Sequence, residues 1–145
     1  MKNQRKGGFL ISKIHQLSGR VFTRMLRERR LDMINTAQGR IMFPLWRQDG
    51  ISIVDLTRET ALTKSTLTSM LDRLEEAKYL QRVPSTTDRR KIEVHLTDEG
   101  RRLQEEYSGL SQEMAELFYE GFSSSEIDEF ERCLERLLQN LLKHS

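Results

Sequence analysis

Apolar residues recur at spacings of three and four along the first part of this chain, the pattern of helices that bury one face. The first stripe predicts a long helix over about residues 9–30. Asn35 and Gln38 have the spacing of a capping box and should open a second helix, which should end near Gly50. Pro44 lies inside that second helix and should kink or break it, because proline has no amide hydrogen.

Two short helices joined by a tight turn follow. Ser52 should cap a helix over residues 53–60, and Thr63 should cap another that runs to about Ala77. Residues 61–62 form the turn between them. This arrangement is typical of a helix-turn-helix.

The period of the pattern then changes to two. Residues 80–83 predict a strand, residues 84–87 supply turn chemistry, and residues 88–91 form a basic tip. Residues 92–96 predict the paired strand, with its apolar side chains on one face: Ile92, Val94 and Leu96. The segment is therefore predicted to be a β-hairpin with a cationic tip, called the wing below.

Two long helices complete the pattern. Thr97 should cap the first, and Ser123 with Glu126 forms a capping box that should open the second. The second helix carries an apolar stripe of Ile127, Phe130, Leu134, Leu137, Leu138 and Leu141. The predicted fold class is mainly α with a small β-hairpin wing.

Length and composition fit one helix-rich domain of 145 residues. No apolar run approaches the ~18–20 residues of a membrane span. The basic residues 1–6 are not followed by the apolar run of a secretory signal. The single cysteine, Cys133, excludes an intrachain disulfide and suits a reducing compartment. We therefore expect a cytoplasmic protein with no membrane partner.

The net charge of +2 conceals a strong segregation of charge along the chain. Residues 1–30 carry nine Lys and Arg residues against one acid, whereas residues 101–145 carry ten acids against five basic residues. The two ends either pack near each other, within one chain or between two, or form two separately solvated faces.

The start of the second short helix is rich in side chains that bind DNA. In a helix-turn-helix, the N-terminal residues of the second helix lie in the major groove. Hydroxyl groups there can bond phosphates or base edges, and Lys64 can reach a guanine or a phosphate. Arg73, two turns along, is better placed for the DNA backbone. A merely solvated polar face is the alternative, and the basic hairpin that follows makes it the weaker one.

At the wing tip, Arg90 carries the group that best enters a narrow, electronegative minor groove. Asp88, two residues earlier, can pair with this arginine and orient it. The residues predicted to contact DNA are Ser52, Thr63, Lys64, Ser65, Thr66, Thr68, Ser69, Arg73, Asp88, Arg89, Arg90 and Lys91.

The segment 35–100 resembles the winged helix-turn-helix of the MarR family of bacterial and archaeal regulators. The motifs that carry the resemblance are Asn35-x-x-Gln38, Leu71-Asp-Arg-Leu-Glu-Glu76, Asp88-x-Arg90 and Val94-x-Leu96-Thr97-x-x-Gly100. The flanking helices match as well, so the resemblance covers nearly the whole chain. It implies double-stranded DNA as a partner, bound by a homodimer whose terminal helices interlock and whose two wings grip a pseudo-palindromic operator.

The resemblance also implies a domain plan and a function. A winged helix-turn-helix over 35–97, with its helix-turn-helix at about 52–77 and its wing at about 80–96, would lie between dimerisation helices at 9–30 and 98–144. The chain is expected to be a sequence-specific transcriptional regulator, by the family's default a repressor, and not an enzyme. The alternative is a winged-helix interaction module or regulatory subunit that does not bind DNA.

Many family members bind a small anionic aromatic effector between the dimerising helices and the DNA-binding lobe. By this resemblance His15, Ser18 and Met42 would border the crevice, unless they serve only packing or the surface. No cofactor and no metal are expected, because the three histidines lack ligand spacing.

Two single residues carry further expectations. Ala61 stands where the family usually has a glycine in the turn of the helix-turn-helix, which predicts a slightly different turn geometry. Cys133 is interpreted as a buried structural thiol within the dimerising surface.

Overall fold

The computed structural model describes residues 4–145, so the first three residues of the basic N-terminal stretch lie outside the described residues. Helices dominate, as predicted, and they flank a small antiparallel sheet. In chain order the elements are α1 (Gly7–Glu28), α2 (Thr36–Arg47), β1 (Ile51–Ser52), α3 (Ile53–Thr60), α4 (Lys64–Glu76), β2 (Leu80–Pro84), β3 (Ile92–Leu96), α5 (Asp98–Phe118) and α6 (Ser124–Leu142). The predicted fold class is confirmed.

The chain divides into two compact units. The first ends at Leu110 and contains the whole hydrophobic core. The second, Ser111–Ser145, contains the last turns of α5 and all of α6, and none of its residues, all of which are described, is buried. Large apolar side chains of this second unit therefore face solvent in the single chain: Leu117, Phe118, Phe122, Phe130, Leu134, Leu137, Leu138, Leu141 and Leu142.

The core of the first unit is built from the inward faces of its helices and from β2 and β3. Its buried apolar residues are Leu26, Ile34, Ile41, Met42, Leu45, Leu56, Leu67, Leu71, Leu74, Leu80, Val94, Leu96, Leu103, Tyr107 and Leu110. The Tyr107 hydroxyl donates to the carbonyl of Leu31 and accepts from the amide of Ile34 at 3.4 Å. Burial raises the pKa of Tyr107 to about 12, so this hydroxyl stays protonated and joins α5 to the segment between α1 and α2.

The wing is part of a sheet with one more strand than the sequence predicts. β3 lies in the centre and pairs antiparallel with β2 on one side and with the two-residue β1 on the other. A strand of two residues has no period to detect, which is why the pattern missed it. Val94 and Leu96 are buried as predicted, but Ile92 is 46% exposed because it lies at the far end of the hairpin, beyond the core.

The predicted break at Pro44 is wrong. α2 continues through Pro44 to Arg47, and the carbonyl of Pro44 still accepts from the amide of Gln48 at 2.9 Å. Proline removes one hydrogen bond of the helix, but the burial of the side chains around it holds the segment helical: Gly39, Ile41, Met42 and Leu45.

The predicted helix caps are confirmed. The side chains of Ser52 and Thr63 accept from backbone amides three residues on, and Thr97 accepts from the Gly100 amide at 3.1 Å. Complete capping boxes open α2 at Asn35 and α6 at Ser123. Each cap satisfies an amide that has no partner within its own helix, so the short polar residues fix where the helices begin.

The turn of the helix-turn-helix keeps the geometry that a glycine would give it. Ala61 adopts the left-handed conformation, with φ 56° and ψ 23°, so the expected departure at this position is wrong. The buried Thr60 supports the turn, because its hydroxyl donates to the Leu56 carbonyl at 2.7 Å and accepts from the Leu62 amide at 3.4 Å. The surrounding contacts therefore impose a conformation that costs alanine about 1–2 kcal/mol.

Ala61→Gly should raise the free energy of unfolding by roughly 0.5 kcal/mol. Glycine removes the left-handed penalty of about 1–2 kcal/mol, and its greater freedom in the unfolded chain offsets about 0.5–1 kcal/mol of that gain. Urea denaturation measures the change. Ala77→Gly is the matched control, because Ala77 at φ −74° already has a right-handed backbone; glycine there should destabilise the protein. Equal losses from both changes would contradict this account.

Candidate nucleic-acid interface

The first two turns of α4 present a polar face to solvent. Leu67, Leu71 and Leu74 are buried beneath it, so the helix is anchored along one side only. The predicted DNA-contacting residues of this helix and its cap are all exposed: Thr63, Lys64, Ser65, Thr66, Thr68, Ser69 and Arg73. The structure thus brings these seven side chains together on one accessible surface.

The hydroxyl groups on this face are not equally available to a ligand. Thr63 accepts from the Thr66 amide at 3.3 Å and donates to the Thr66 hydroxyl at 2.9 Å. Thr68 donates to the Lys64 carbonyl at 2.8 Å. In the part of the chain that the structure describes, the Lys64 ammonium and the Ser69 hydroxyl make no hydrogen bond, so both are free to bind a ligand.

Ser52 is less available than the sequence suggested. It is only half-buried, but its hydroxyl accepts from the Asp55 amide at 3.1 Å and caps α3. Ser52 therefore caps α3 with one lone pair, and its hydroxyl hydrogen and second lone pair remain for a ligand.

The wing tip is a tightly bonded turn that holds three basic residues outward. The hydroxyl of Ser85 accepts from the amides of Thr87 and Asp88, each at 3.2 Å, and the Ser85 amide donates to the Lys91 carbonyl at 2.9 Å. Arg89, Arg90 and Lys91 are exposed beyond this turn. The bonds within the turn give the basic tip a defined shape.

Asp88 orients Arg90 as the spacing predicted. Its Oδ1 accepts from the Arg90 amide at 3.0 Å and from the Arg90 Nε at 3.3 Å. The side chain of Arg90 is 90% exposed. The backbone amide of Arg90, and then its guanidinium, lower the pKa of Asp88, so the carboxylate stays charged at neutral pH.

A second arginine joins the wing to α4, and the sequence pattern did not reveal it. The Arg82 amide donates to the Glu75 Oε1 at 2.9 Å, and the guanidinium donates to the Glu75 Oε2 at 2.7 Å and to the Asp72 Oδ1 at 2.5 Å. The signal was present in the chain, because two acids three residues apart on one helix face precede a lone arginine in the next strand. This clamp fixes the root of the wing against the helix.

Arg82→Ala should lower the free energy of unfolding by about 1–2 kcal/mol, a value reduced because both acids are partly exposed. The Arg82 amide, and then the guanidinium, lower the pKa of Glu75. Stability from this contact is therefore present above the unfolded pKa of the carboxyl and lost as pH falls through the lower folded pKa.

Urea denaturation at a series of pH values measures both effects. Arg58→Ala on α3 is the matched control, because Arg58 is exposed and pairs with Asp55 at 3.6 Å; its loss should change stability little. An Arg82→Ala protein as stable as the Arg58→Ala protein would show that the clamp contributes nothing.

A third polar cluster holds the base of the wing, and it too was missed. The Asp49 Oδ1 accepts from the amides of Leu96 at 2.8 Å and Gly50 at 2.9 Å, and its Oδ2 accepts from Arg101 at 3.0 Å. Asp49 follows the end of α2 in the sequence, whereas two of its partners lie on β3 and α5. Since those partners are about fifty residues away in sequence, no local pattern predicts them.

The three residues predicted to border an effector crevice lie in different environments. His15 is exposed, Ser18 is half-buried with its hydroxyl donating to the Ile14 carbonyl, and Met42 is fully buried in the core. Met42 thus has no exposed surface in the single chain, and the effector crevice stays a prediction.

Three further observations concern Cys133, metal ions and membranes. Cys133 is exposed in the single chain rather than buried. Within residues 4–145, no group of three His, Cys, Asp or Glu side chains is arranged to hold a metal ion. None of the described helices is long and apolar enough to cross a lipid bilayer.

Comparison with known proteins gives a consistent match. Residues 34–92 match the model of the MarR family. The chain is 32% identical over 93 residues to the uncharacterized HTH-type transcriptional regulator YsmB of Bacillus subtilis, and the match spans 64% of each protein. The alignment thus spans somewhat less than two thirds of that relative.

Solved structures match over more of the chain. BpsR of Bordetella bronchiseptica superposes with a TM-score of 0.79 at 25% identity, covering 92% of this chain and 98% of that one. FabT of Streptococcus pneumoniae, solved in complex with DNA, superposes with a TM-score of 0.75 at 26% identity, covering 98% and 99%. The similarity therefore includes the helices on both sides of the winged segment.

Proposed function

We propose that this chain, whose residues 34–92 match the model of the MarR family, is a member of that family and a transcriptional regulator that binds double-stranded DNA. The observation that carries the proposal is the pairing of an exposed, donor-rich start of α4 with a hydrogen-bonded wing tip that presents Arg90. FabT, at 26% identity, is itself solved in complex with DNA. No feature of the described residues favours an enzymatic reaction, and the matched relatives are regulators.

The proposed contacts follow the geometry of the two surfaces. The first turns of α4 enter the major groove, where Lys64 and Ser69 offer free donors to base edges or phosphates. Arg90 enters the adjacent minor groove, and Arg89 and Lys91 contact phosphates beside it. Arg73, farther along α4, lies against the backbone. This assignment divides the residues into those that select sequence and those that supply affinity.

We propose that the regulator is a homodimer in which α1, α5 and α6 form the interface and residues 35–97 form the winged helix-turn-helix. The support is the unburied apolar surface on two separate elements. α1 exposes Phe9, Leu10, Ile14 and Leu17, and α6 exposes five leucines and Phe130. Apolar surface of this extent is expected to be covered by a second chain.

The dimer should appear as a single species of about twice the 17.1 kDa chain mass. Sedimentation equilibrium at micromolar concentration measures this. A chain truncated after Phe122 loses α6 and should be poorly soluble or partly unfolded, because its remaining apolar surface has no partner. A 17.1 kDa species for the full chain, or a well-folded truncated monomer that binds DNA, would contradict the proposal.

A two-fold dimer would bind a pseudo-palindromic operator whose half-site centres lie roughly 10 base pairs apart. We propose that it acts as a repressor and that a small anionic aromatic compound releases it. The support for release is BpsR, whose DNA binding is regulated by 6-hydroxynicotinic acid. On this chain, His15 and Ser18 of α1 are the residues that remain accessible to such an effector.

Selection of bound duplexes from a random-sequence pool tests the function directly. The full chain should enrich an inverted repeat, and fluorescence anisotropy should then show much tighter binding to it than to a scrambled duplex. Affinity for both should fall as salt rises, because lysine and arginine displace counterions from phosphates. Failure to enrich any sequence, with binding to neither duplex, would favour a winged-helix regulatory subunit without a DNA site.

A further inference from the structure

Thr68 is an exposed residue of α4 whose hydroxyl group already makes a hydrogen bond within the helix. The hydroxyl of Thr68 donates its hydrogen to the carbonyl of Lys64, one turn earlier, at 2.8 Å. A hydroxyl has a single hydrogen, so Thr68 has no donor left for a base or a phosphate. The residue is nevertheless exposed in the second turn of the helix, where side chains reach base edges.

The group that Thr68 offers to a partner is therefore its methyl group. Substituents on a β-carbon occupy staggered positions, so when the oxygen turns back toward the helix backbone the methyl group takes another position. Two neighbours differ from Thr68 in this respect. Thr66 accepts a hydrogen bond from Thr63 and keeps its own hydrogen free, and Ser69 has no methyl group.

Two charged residues flank Thr68 on its side of the helix. Lys64 lies one turn before it and Asp72 one turn after it, since residues four apart share a helix face. The Oδ1 of Asp72 accepts from the Arg82 guanidinium at 2.5 Å, so this carboxylate is already paired with a cation. The methyl group thus lies between a free cation and a neutralised carboxylate.

We propose that Thr68 selects thymine, through contact between its methyl group and the 5-methyl group of a thymine in the major groove. Thymine alone among the four bases presents a methyl group there, and threonine methyl groups are among the apolar groups that contact it. This inference rests on the proposed DNA-binding function and adds one specificity-determining residue to it. In a symmetric dimer, one thymine in each half-site is read in this way.

Replacing thymine by deoxyuridine tests the proposal, because the change removes only the 5-methyl group and leaves base pairing intact. Duplexes are first selected with the full chain from a random pool, and each thymine is then replaced singly. At one thymine per half-site, the replacement should weaken binding by about four-fold, the size expected for burying one methyl group. Replacement in both half-sites should weaken it by roughly fifteen-fold, if the sites are independent.

Three variants separate the methyl group from the hydroxyl group. Thr68→Val keeps a methyl in the outward position and removes the hydroxyl, so it should retain the sensitivity to deoxyuridine. Thr68→Ser keeps the hydroxyl and removes the methyl, so it should bind thymine and deoxyuridine duplexes equally. Thr66→Ser is the matched control, because it removes a methyl group from another exposed threonine of α4. This variant should still bind the deoxyuridine duplex more weakly than the thymine duplex. Because position 68 is exposed, none of these changes disturbs the core.

The outcomes distinguish this inference from the function on which it rests. Enriched duplexes whose thymines can all be replaced without loss would overturn the assignment of Thr68. So would a loss of affinity in Thr68→Val, which would mean that the hydroxyl accepts a hydrogen bond from a base. If no duplex is enriched at all, the DNA-binding function itself fails, and the thymine contact fails with it.

Discussion

Gly100→Ala should lower the free energy of unfolding by at least about 3 kcal/mol and leave little folded protein. A β-carbon added at Gly100 would lie 2.1 Å from the carbonyl oxygen of Tyr79, far inside van der Waals contact. That oxygen cannot easily move, because it accepts from the Thr97 amide at 3.1 Å. Gly100 is fixed too, since its own carbonyl accepts from the Trp46 indole at 2.9 Å. The start of α5 and the base of the wing therefore meet with no room for a side chain.

Thermal and urea denaturation measure the loss, and Gly109→Ala is the matched control. Gly109 lies on the same helix, and a β-carbon there would meet no atom within 4 Å. Alanine at Gly109 should be neutral or stabilise the chain by about 0.5–1 kcal/mol, because glycine is a poor helix former. If both substitutions had the same effect, the contact with Tyr79 would not explain the requirement for glycine at position 100.

The local features of this fold could be predicted from the sequence because each depends on residues near one another in the chain. The caps at Asn35, Thr63 and Ser123 follow from short polar residues that bond amides three positions on. The wing follows from alternation over residues 92–96 and from the turn before it. In each case the physical cause lies within a few residues of its effect.

The features that were missed depend on distant partners. β1 exists because Ile51 and Ser52 pair with Val94 and Glu93. Asp49 joins three elements through bonds to residues that lie far away in sequence. The continuity of α2 through Pro44 reflects tertiary burial that outweighs a local preference. Such effects require the packing of the folded chain, which no period in the sequence encodes.

In the candidate site, too, an ion pair between residues close in sequence was predicted and contacts between separate elements were not. The spacing of Asp88 and Arg90 predicted their ion pair, because residues two apart in a turn lie close together. The contacts of Arg82 with Glu75 and Asp72 were not predicted, because they join separate elements. The hydrogen bond of the Thr68 hydroxyl was not predicted either, because the sequence gives the residue type and not its hydrogen-bond partner. The structure therefore shows which polar groups of the candidate site are free to bind a ligand, and the sequence alone does not.

Arg90→Ala should weaken operator binding by roughly 1–3 kcal/mol for each wing, felt at both wings of the proposed dimer. The side chain of Arg90 is 90% exposed and is oriented by Asp88. Its guanidinium is therefore accessible to a DNA groove and makes no contribution to the hydrophobic core. The loss should fall mainly at A·T-rich positions that flank the major-groove half-sites, where the minor groove is narrow. Arg90→Lys should recover only part of the loss, because a lysine keeps the charge but lacks the planar fork.

Fluorescence anisotropy on the selected operator across a salt series separates these contributions. Arg24→Ala on α1 removes the same charge from an exposed ion pair with Glu28 and serves as the matched control. Asp88→Ala should resemble Arg90→Ala weakly, because it removes the orientation and leaves the guanidinium in place. Because the pKa of Asp88 is lowered in the folded chain, its carboxylate orients Arg90 at every pH above the unfolded pKa of the carboxyl. The orientation should be lost only when the pH falls through the lower, folded pKa. If Arg90→Ala bound the operator as tightly as the Arg24→Ala control, the wing would have no minor-groove contact, and α4 alone would account for specificity.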